Sequence, residues 1–238
     1  PTGPCDAGYY CTGSASTPNQ FSSPPGYYSI SGSPNALPCR PGTYNNVDRA
    51  TECEPCPAGR FCSNFTTILP ESCTTGHYCP EGSADPEPCP AGTYNGDIGA
   101  KNETDCIACP AGMHCNDTGL TEPTGECNAG FYCVSANYAV APLPDTSGGP
   151  CPPGYYCPQG TMSPRQYPCP NGTYNPFEGA TEVDDCLLCT AGHHCPNLGM
   201  SEPGPTCRPG YYCTLGSSTA APQEGSGVGG PCPTGSFC

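Results

Sequence analysis

Eighteen of the 24 cysteines of this chain fall into a recurring phrase, Cys-x-x-Gly-aromatic-aromatic-Cys, and that spacing constrains the fold more than any other feature. It reads CDAGYYC from Cys5, CPAGRFC from Cys56, CTTGHYC from Cys73, CPAGMHC from Cys109, CNAGFYC from Cys127, CPPGYYC from Cys151, CTAGHHC from Cys189, CRPGYYC from Cys207 and CPTGSFC from Cys232 to Cys238. Arg, His, Met or Ser replaces an aromatic in some copies. The six cysteines outside the phrase, Cys39, Cys53, Cys89, Cys106, Cys169 and Cys186, form three matched pairs. The pattern is that of a repeat protein held by disulfides.

With 24 cysteines in 238 residues, the chain exceeds the density that marks a disulfide scaffold. Thiols at that density persist as disulfides in an oxidising compartment, which predicts an extracellular or cell-surface location. Zinc is the competing use of Cys53/Cys56, Cys106/Cys109 and Cys186/Cys189, but the other cysteines sit in the longer Cys-x5-Cys spacing, so no metal site is expected. Pro (34) and Gly (32) are abundant, Trp is absent, and Ile, Leu and Val are few, so crosslinks must replace a conventional core. In the chain-entropy model a seven-residue ring contributes about 2 to 3 kcal/mol and a loop of fifteen to eighteen residues about 3 kcal/mol.

A net charge of −15 with 6 Lys and Arg argues against nucleic acid and anionic membranes as partners. No stretch approaches the roughly twenty apolar residues of a membrane span, so no membrane insertion by this segment is expected. The chain starts at Pro1 without Met or a signal peptide, which reads as a processed form or a segment of something longer.

The stretch from Cys89 to Cys133 repeats from Cys169 to Cys213 at a constant offset, matching 89/169, 106/186, 109/189, 115/195, 127/207 and 133/213. Each unit opens with Cys-x-x-Gly-Thr-Tyr-Asn, as does a shorter one from Cys39. The organisation expected is the tail of a preceding repeat at 1–38, a short repeat at 39–88, and long repeats at 89–168 and 169–238, the last truncated.

Ser23-Pro-Pro-Gly-Tyr-Tyr-Ser29 reproduces Cys151-Pro-Pro-Gly-Tyr-Tyr-Cys157 with both cysteines replaced together. Joint loss is what a mutually bonded pair would show, and it implies a Cys151–Cys157 ring. Cys39–Cys53, Cys89–Cys106 and Cys169–Cys186 are the natural pairs of the opening loops. Two solutions remain for the other phrases. Either each closes on itself (Cys5–Cys11, Cys56–Cys62, Cys73–Cys79, Cys109–Cys115, Cys127–Cys133, Cys189–Cys195, Cys207–Cys213, Cys232–Cys238), or neighbours cross-pair, as in Cys56/Cys73 with Cys62/Cys79. Self-closure accounts for every cysteine inside the chain and is preferred, although spacing alone does not decide connectivity.

No helical periodicity spans a useful window, and Gly and Pro punctuate every few residues. The expected fold is a small disulfide-rich, elongated tandem-repeat rod of short β-hairpin modules with no large core. Alternation along a strand sends one ring of each aromatic doublet to each face. Tyr9, Tyr10, Tyr27, Tyr28, Phe61, Tyr78, Phe131, Tyr132, Tyr155, Tyr156, Tyr211, Tyr212 and Phe237 are therefore expected to pack over a disulfide or the adjoining module.

The unit CPAGTYNGDIGAKNETDCIACPAGMHC from Cys89 to Cys115, with its counterparts from Cys39 and Cys169, resembles the cysteine-rich ephrin-receptor-like repeat of the GCC2/GCC3 type, a relative of EGF-like and tumour-necrosis-factor-receptor modules. The resemblance implies an extracellular, disulfide-bonded tandem array within a large surface or matrix protein, and no catalytic residues. The run of Cys-x5-Cys phrases with Pro/Ser linkers is closer to protist surface and flagellar-hair proteins than to an animal receptor ectodomain.

Four sequons, Asn64-Phe-Thr, Asn102-Glu-Thr, Asn116-Asp-Thr and Asn171-Gly-Thr, predict N-linked glycans as the covalent additions to the chain. Their positions do not recur between the long units, since Asn102 aligns with Glu182 and Asn116 with Pro196. The Ser/Thr/Pro-rich linkers Thr12 to Ser23, Ala141 to Gly149 and Thr214 to Gly230 suit O-linked sugars. Asp97, Glu103, Asp105, Glu178, Glu182, Asp184 and Asp185 gather before the CxxC of two units; without an EF-hand or calcium-binding EGF spacing they read as a solvated acidic face rather than a calcium site. His77, His114, His193 and His194 occupy aromatic slots of the phrase and read as packing residues. With the cysteines consumed, no nucleophile, base or paired-carboxylate constellation remains, so neither an enzyme nor a bound cofactor is expected.

The function expected is a structural glycosylated rod in an extracellular filament, a mastigoneme-like flagellar hair or a surface coat, with copies of itself or other coat proteins as partners. An adhesion or receptor stalk, or a non-catalytic spacer of a larger secreted enzyme, are the alternatives.

Overall fold

A computed structural model describes residues 3–144, 147–236 and 238. The chain divides into two compact units, Pro1–Ile107 with Asp117–Glu122, and Ala108–Asn116 with Pro123–Cys238. Short hairpins follow one another in each. The first unit holds β1 (Tyr9–Tyr10), β2 (Phe21–Ser22), β3 (Tyr27–Tyr28), β4 (Leu37–Pro38), β5 (Thr43–Tyr44), β6 (Glu54–Pro55), β7 (Arg60–Phe61), β8 (Glu71–Ser72), β9 (His77–Tyr78), β10 (Glu87–Pro88) and β11 (Thr93–Tyr94). Next come β12 (Ile107–Ala108), β13 (Met113–His114), β14 (Gly125–Glu126), β15 (Phe131–Cys133), β16 (Gly148–Pro150), β17 (Thr173–Tyr174), β18 (Leu187–Leu188), β19 (Tyr211–Cys213) and β20 (Gly229–Pro231). Each odd-numbered strand pairs with the one that follows it, and single antiparallel bridges, Tyr155 with Pro168 and His193 with Thr206, stand where two further pairs would fall.

The phrase folds this way for a local reason. Arg60 N–H donates to the Pro57 carbonyl at 3.0 Å, and Gly59 between them has φ 84°. That is a type II turn, which needs a positive φ at its third residue and so favours glycine there. The turn delivers the next two residues into a strand, whose partner is the pair of residues just before the following phrase, as in Phe61 opposite Glu71. The openings at Cys39, Cys89 and Cys169 are copies of the same hairpin, with Asn45, Asn95 and Asn175 in the place of the second cysteine.

Four backbone hydrogen bonds join a phrase to its successors. In the first unit Gly42 N–H donates to Cys62 O (2.9 Å), Cys62 N–H to Ser83 O (3.0 Å), Gly82 N–H to Cys56 O (2.7 Å) and Cys56 N–H to Gly42 O (2.9 Å). In the second, Gly130 N–H donates to Cys157 O (2.8 Å), Cys157 N–H to Ala180 O (2.9 Å), Gly179 N–H to Cys151 O (2.8 Å) and Cys151 N–H to Gly130 O (2.8 Å). These bonds satisfy the backbone groups that such short strands leave unpaired.

The phrase glycine also touches the phrase after next. A Cβ on Gly59 would lie 2.6 Å from Gly99 O, and one on Gly130 would lie 2.8 Å from Gly179 O. Three consecutive hairpins are thus interlocked. The residue that makes this approach has a positive φ, and it is not always glycine: Arg49 (65°), Thr66 (64°) and Ala136 (54°) fill the place taken elsewhere by Gly82, Gly99 or Gly160. Their N–H groups make the same bond, to Ser23 O, Cys39 O and Cys109 O.

The interior is sulfur and small polar groups. Most cysteines are buried, with Ala100, Ala180, Ser23, Ser29, Asn45, Asn95, Asn137, Thr161, Asn175 and Ser217 among them, and no large apolar core forms among the described residues. Two 3-10 turns, Glu103–Asp105 and Val183–Asp185, occupy the longer loops. Among the described residues no helix is long and apolar enough to cross a membrane.

Candidate functional sites

All 24 cysteines are paired. The long pairs are Cys39–Cys53, Cys89–Cys106 and Cys169–Cys186. Every Cys-x5-Cys phrase closes on itself: Cys5–Cys11, Cys56–Cys62, Cys73–Cys79, Cys109–Cys115, Cys127–Cys133, Cys151–Cys157, Cys189–Cys195, Cys207–Cys213 and Cys232–Cys238. In the Ser phrase, Ser23 Oγ donates to Ser29 Oγ at 2.7 Å in a buried site. In the Asn phrases the first cysteine reaches forward to the returning chain, and the freed seventh position does other work. Asn45 Nδ2 donates to Tyr27 O of the preceding phrase (2.7 Å), while its Oδ1 accepts from Val47 N–H (3.0 Å). Asn95 and Asn175 repeat this with His77 O and Tyr155 O.

The aromatic doublets divide by position. The second ring faces its own return strand: Tyr10 stacks on Phe21 at 5.4 Å and Tyr156 on Tyr167 at 5.6 Å. Tyr28 stands opposite Leu37, Phe61 opposite Glu71, Tyr132 opposite Gly149 and Tyr212 opposite Gly230. Tyr44 Oη donates to Glu54 Oε2 at 3.1 Å, and Tyr78 pairs likewise with Glu87; the carboxylate holds the phenol proton and raises both pKa values. The first ring lies towards the phrase after next. The Arg49 guanidinium sits 5.5 Å over Tyr9, and the Tyr155 ring is 3.0 Å from where a Cβ on Gly199 would stand. Tyr27, Phe131 and Tyr211 are half-buried in equivalent strands, and Phe237 lies outside the described residues.

The four sequon asparagines, Asn64, Asn102, Asn116 and Asn171, are exposed. Asn102 caps the first 3-10 turn: its Oδ1 accepts from Thr104 N–H (3.0 Å) and from the Thr104 hydroxyl. Asn116 Oδ1 accepts from Thr124 Oγ1 at 2.7 Å. In both, the Nδ2 that would carry a sugar makes none of these bonds. Of the linkers suited to O-linked sugars, Asp145 and Thr146 lie outside the described residues.

Two acidic residues act as caps. Asp105 Oδ2 accepts from Lys101 N–H (2.6 Å) and Asn102 N–H (3.3 Å). Asp185 Oδ2 accepts from Thr181 N–H (2.7 Å) and Glu182 N–H (3.2 Å), and these bonds lower its pKa. The recurrence of Asp just before Cys106 and Cys186 was a readable sign of this role. Among the described residues no group of three or more His, Cys, Asp or Glu is arranged to hold a metal. His193 and His194 place Nδ1 against the carbonyls of Gly204 (2.7 Å) and Pro205 (2.9 Å), so each Nδ1 carries the proton. His77 Nδ1 is 3.0 Å from Thr75 O, and His114 is buried within its hairpin. A hollow of about 430 Å³ beside Cys5–Cys11, lined by Gly13, Ser14, Ser16, Thr17 and Pro18, offers hydroxyls but no ionisable side chain.

This geometry defines a tandem array of disulfide-stapled hairpins. No protein-family model matches the chain. It is 26% identical over 161 residues to the mouse (Mus musculus) signal peptide, CUB and EGF-like domain-containing protein 2, covering 62% of this chain and 15% of that protein. The human (Homo sapiens) protein of that name is 29% identical over 163 residues, with the same coverage. The rat (Rattus norvegicus) sushi, von Willebrand factor type A, EGF and pentraxin domain-containing protein 1 is 26% identical over 180 residues, 71% of this chain and 5% of that protein. The chain thus spans a small part of the relatives it matches. These likenesses are to proteins named for EGF-like domains, and the disulfide pairing is that of a cysteine-rich module carried in tandem.

Proposed function

We propose that the chain is a structural segment of an extracellular filament, flagellar hair or surface coat, built of GCC2/GCC3-type repeats and glycosylated at its sequons. The observation that carries this reading is the repetition of the same four-bond connection from phrase to phrase, with side chains spent on holding the array together. Repetition with only near-neighbour contacts is the economy of an architectural protein. Heterologous contacts between copies propagate into fibres, which makes a second copy or a related coat protein the partner. Calcium and other cofactors have no part in it, and neither has catalysis.

Immunogold labelling of native surface material, with sedimentation of the released protein, tests the reading. Label along fibres or in a coat, with the protein in large assemblies, is expected. Label confined to dispersed monomers sinks it. The matched relatives carry CUB, sushi and von Willebrand factor type A domains by name, which favours an adhesion or receptor stalk as the second reading. Purification with one stoichiometric, unrelated ectodomain and no fibres would select it.

A further inference from the structure

The loop between β7 and β8 sets three strongly exposed apolar side chains close to a sequon. Phe65 is 60% exposed, Ile68 50% and Leu69 76%, within five residues of the Asn64 acceptor. Backbone hydrogen bonds tie this loop to its neighbours. Thr66 N–H donates to Cys39 O (3.0 Å), Asn45 N–H donates to Thr67 O (3.1 Å), and Thr67 Oγ1 donates to Asn64 O (2.7 Å). Thr66 O packs against Gly26, where a Cβ would be 2.6 Å away. Three exposed apolar side chains therefore stand within five residues of an exposed asparagine, on a loop whose backbone is bonded at Thr66, Thr67 and the Asn64 carbonyl.

We propose that an N-linked oligosaccharide on Asn64 covers the Phe65, Ile68 and Leu69 patch. This deepens the glycosylation stated above and rests on it for this one site. The transfer forms a bond from Asn64 Nδ2 to the anomeric carbon of the first sugar. It breaks the bond from that carbon to the diphosphate of a polyprenyl-linked donor, and the amide loses one proton. The apolar face of the sugar ring, lined with C–H groups, suits contact with Phe65, and its hydroxyls replace the patch as the surface offered to water. A protein partner could also cover exposed apolar side chains. The acceptor amide at the edge of the patch argues for the covalent cover.

The test compares the secreted chain with Asn64→Gln and Asn116→Gln variants. Glycopeptide mass spectrometry reads occupancy, and the fluorescence of an anilinonaphthalene sulfonate dye reads exposed apolar surface. Occupied Asn64, a several-fold rise in dye fluorescence for Asn64→Gln alone, and its reversal by Leu69→Ser in the same variant are expected. Enzymatic trimming of the folded wild-type chain should give the same rise without any substitution. An unoccupied Asn64, or an occupied one whose removal leaves dye binding unchanged, overturns the proposal. Neither result bears on whether the chain lies in fibres, which the labelling experiment decides separately.

Discussion

Ser23 and Ser29 hold their hairpin closed through one hydroxyl-to-hydroxyl hydrogen bond of 2.7 Å, in the two positions where nine other phrases carry a disulfide. Both serines are fully buried, and the surrounding backbone bonds are the same as in a cysteine phrase: Ser29 N–H donates to Ala50 O and Gly8 N–H to Ser29 O. The geometry of the phrase is therefore set by its turn and its neighbours, and the sulfur bridge locks a shape that exists without it.

The double substitution Ser23→Cys with Ser29→Cys should form a thirteenth disulfide in a correctly folded chain. A ring of this size stabilises by about 2 to 3 kcal/mol in the chain-entropy model. Ser23→Ala should act in the opposite sense, leaving the Ser29 hydroxyl buried without its partner at a cost of about 1 to 3 kcal/mol. Thiol counting by mass and urea unfolding followed at the first hairpins check both.

Gly59→Ala and Gly192→Ala separate two reasons for one conserved-looking residue within the phrase. Both glycines have φ near 84° (84° and 83°), so both variants incur the left-handed backbone cost of about 1 to 2 kcal/mol. Only at Gly59 does the new methyl also meet a carbonyl, Gly99 O, at 2.6 Å; around Gly192 nothing lies within 4 Å. Gly59→Ala should therefore be clearly the more damaging in hydrogen-exchange protection, and equal effects would refute the interlock.

Ala136→Gly should raise stability slightly. Relief of a positive φ at a non-glycine residue is worth about 1 to 2 kcal/mol, and the added freedom of the unfolded chain takes back about 0.5 to 1 kcal/mol. Gly160→Ala, at the matching place in the next phrase, should lower stability by a similar mechanism. Thermal midpoints of the pair should move in opposite directions.

The folded pKa of Asp185 is lowered by hydrogen bonds from Thr181 and Glu182. A lowered carboxyl pKa contributes stability that is fully present above the unfolded value, about 3.9, and is lost as pH falls through the folded one. Amides of Thr181 and Glu182 should lose exchange protection only in that acid window, and Asp185→Ala should abolish the dependence. Tyr44 and Tyr78 act in the alkaline range with the reverse sign: raised folded values mean a contribution present below about 10 and lost above. Ultraviolet titration should show Tyr44 ionising at higher pH in the wild-type chain than in the Glu54→Gln variant.

The hairpins and the absence of a large core were legible because the phrase carries its own instructions, a turn glycine followed by two strand residues. The pairing of Cys151 with Cys157 could be inferred from the joint replacement at Ser23 and Ser29. Less visible was the kinship of the Cys-x-x-Gly-Thr-Tyr-Asn openings with the Cys-x5-Cys phrases, since Asn45 and a second cysteine share no chemistry. They share a backbone position, and only the hydrogen bonds reveal it. The interlock with the phrase after next was hidden for a related reason. Its contact atom is a main-chain carbonyl, which Arg49, Thr66 and Gly99 present equally well, so no residue type marks it.

Within each hairpin the connection from phrase to phrase uses the turn glycine, the first and seventh residues, and the left-handed residue with the one after it. The remainder of the loop is left out of that connection, and its length varies from the short run between Ser23 and Cys39 to the long one between Cys207 and Cys232. Such a scaffold accepts foreign peptide in those loops as readily as it has accepted its own length changes. The exposed turn at residues 223–227 is the place to graft an epitope, whereas a single residue added between Cys56 and Gly59 would break the turn that sets the hairpin.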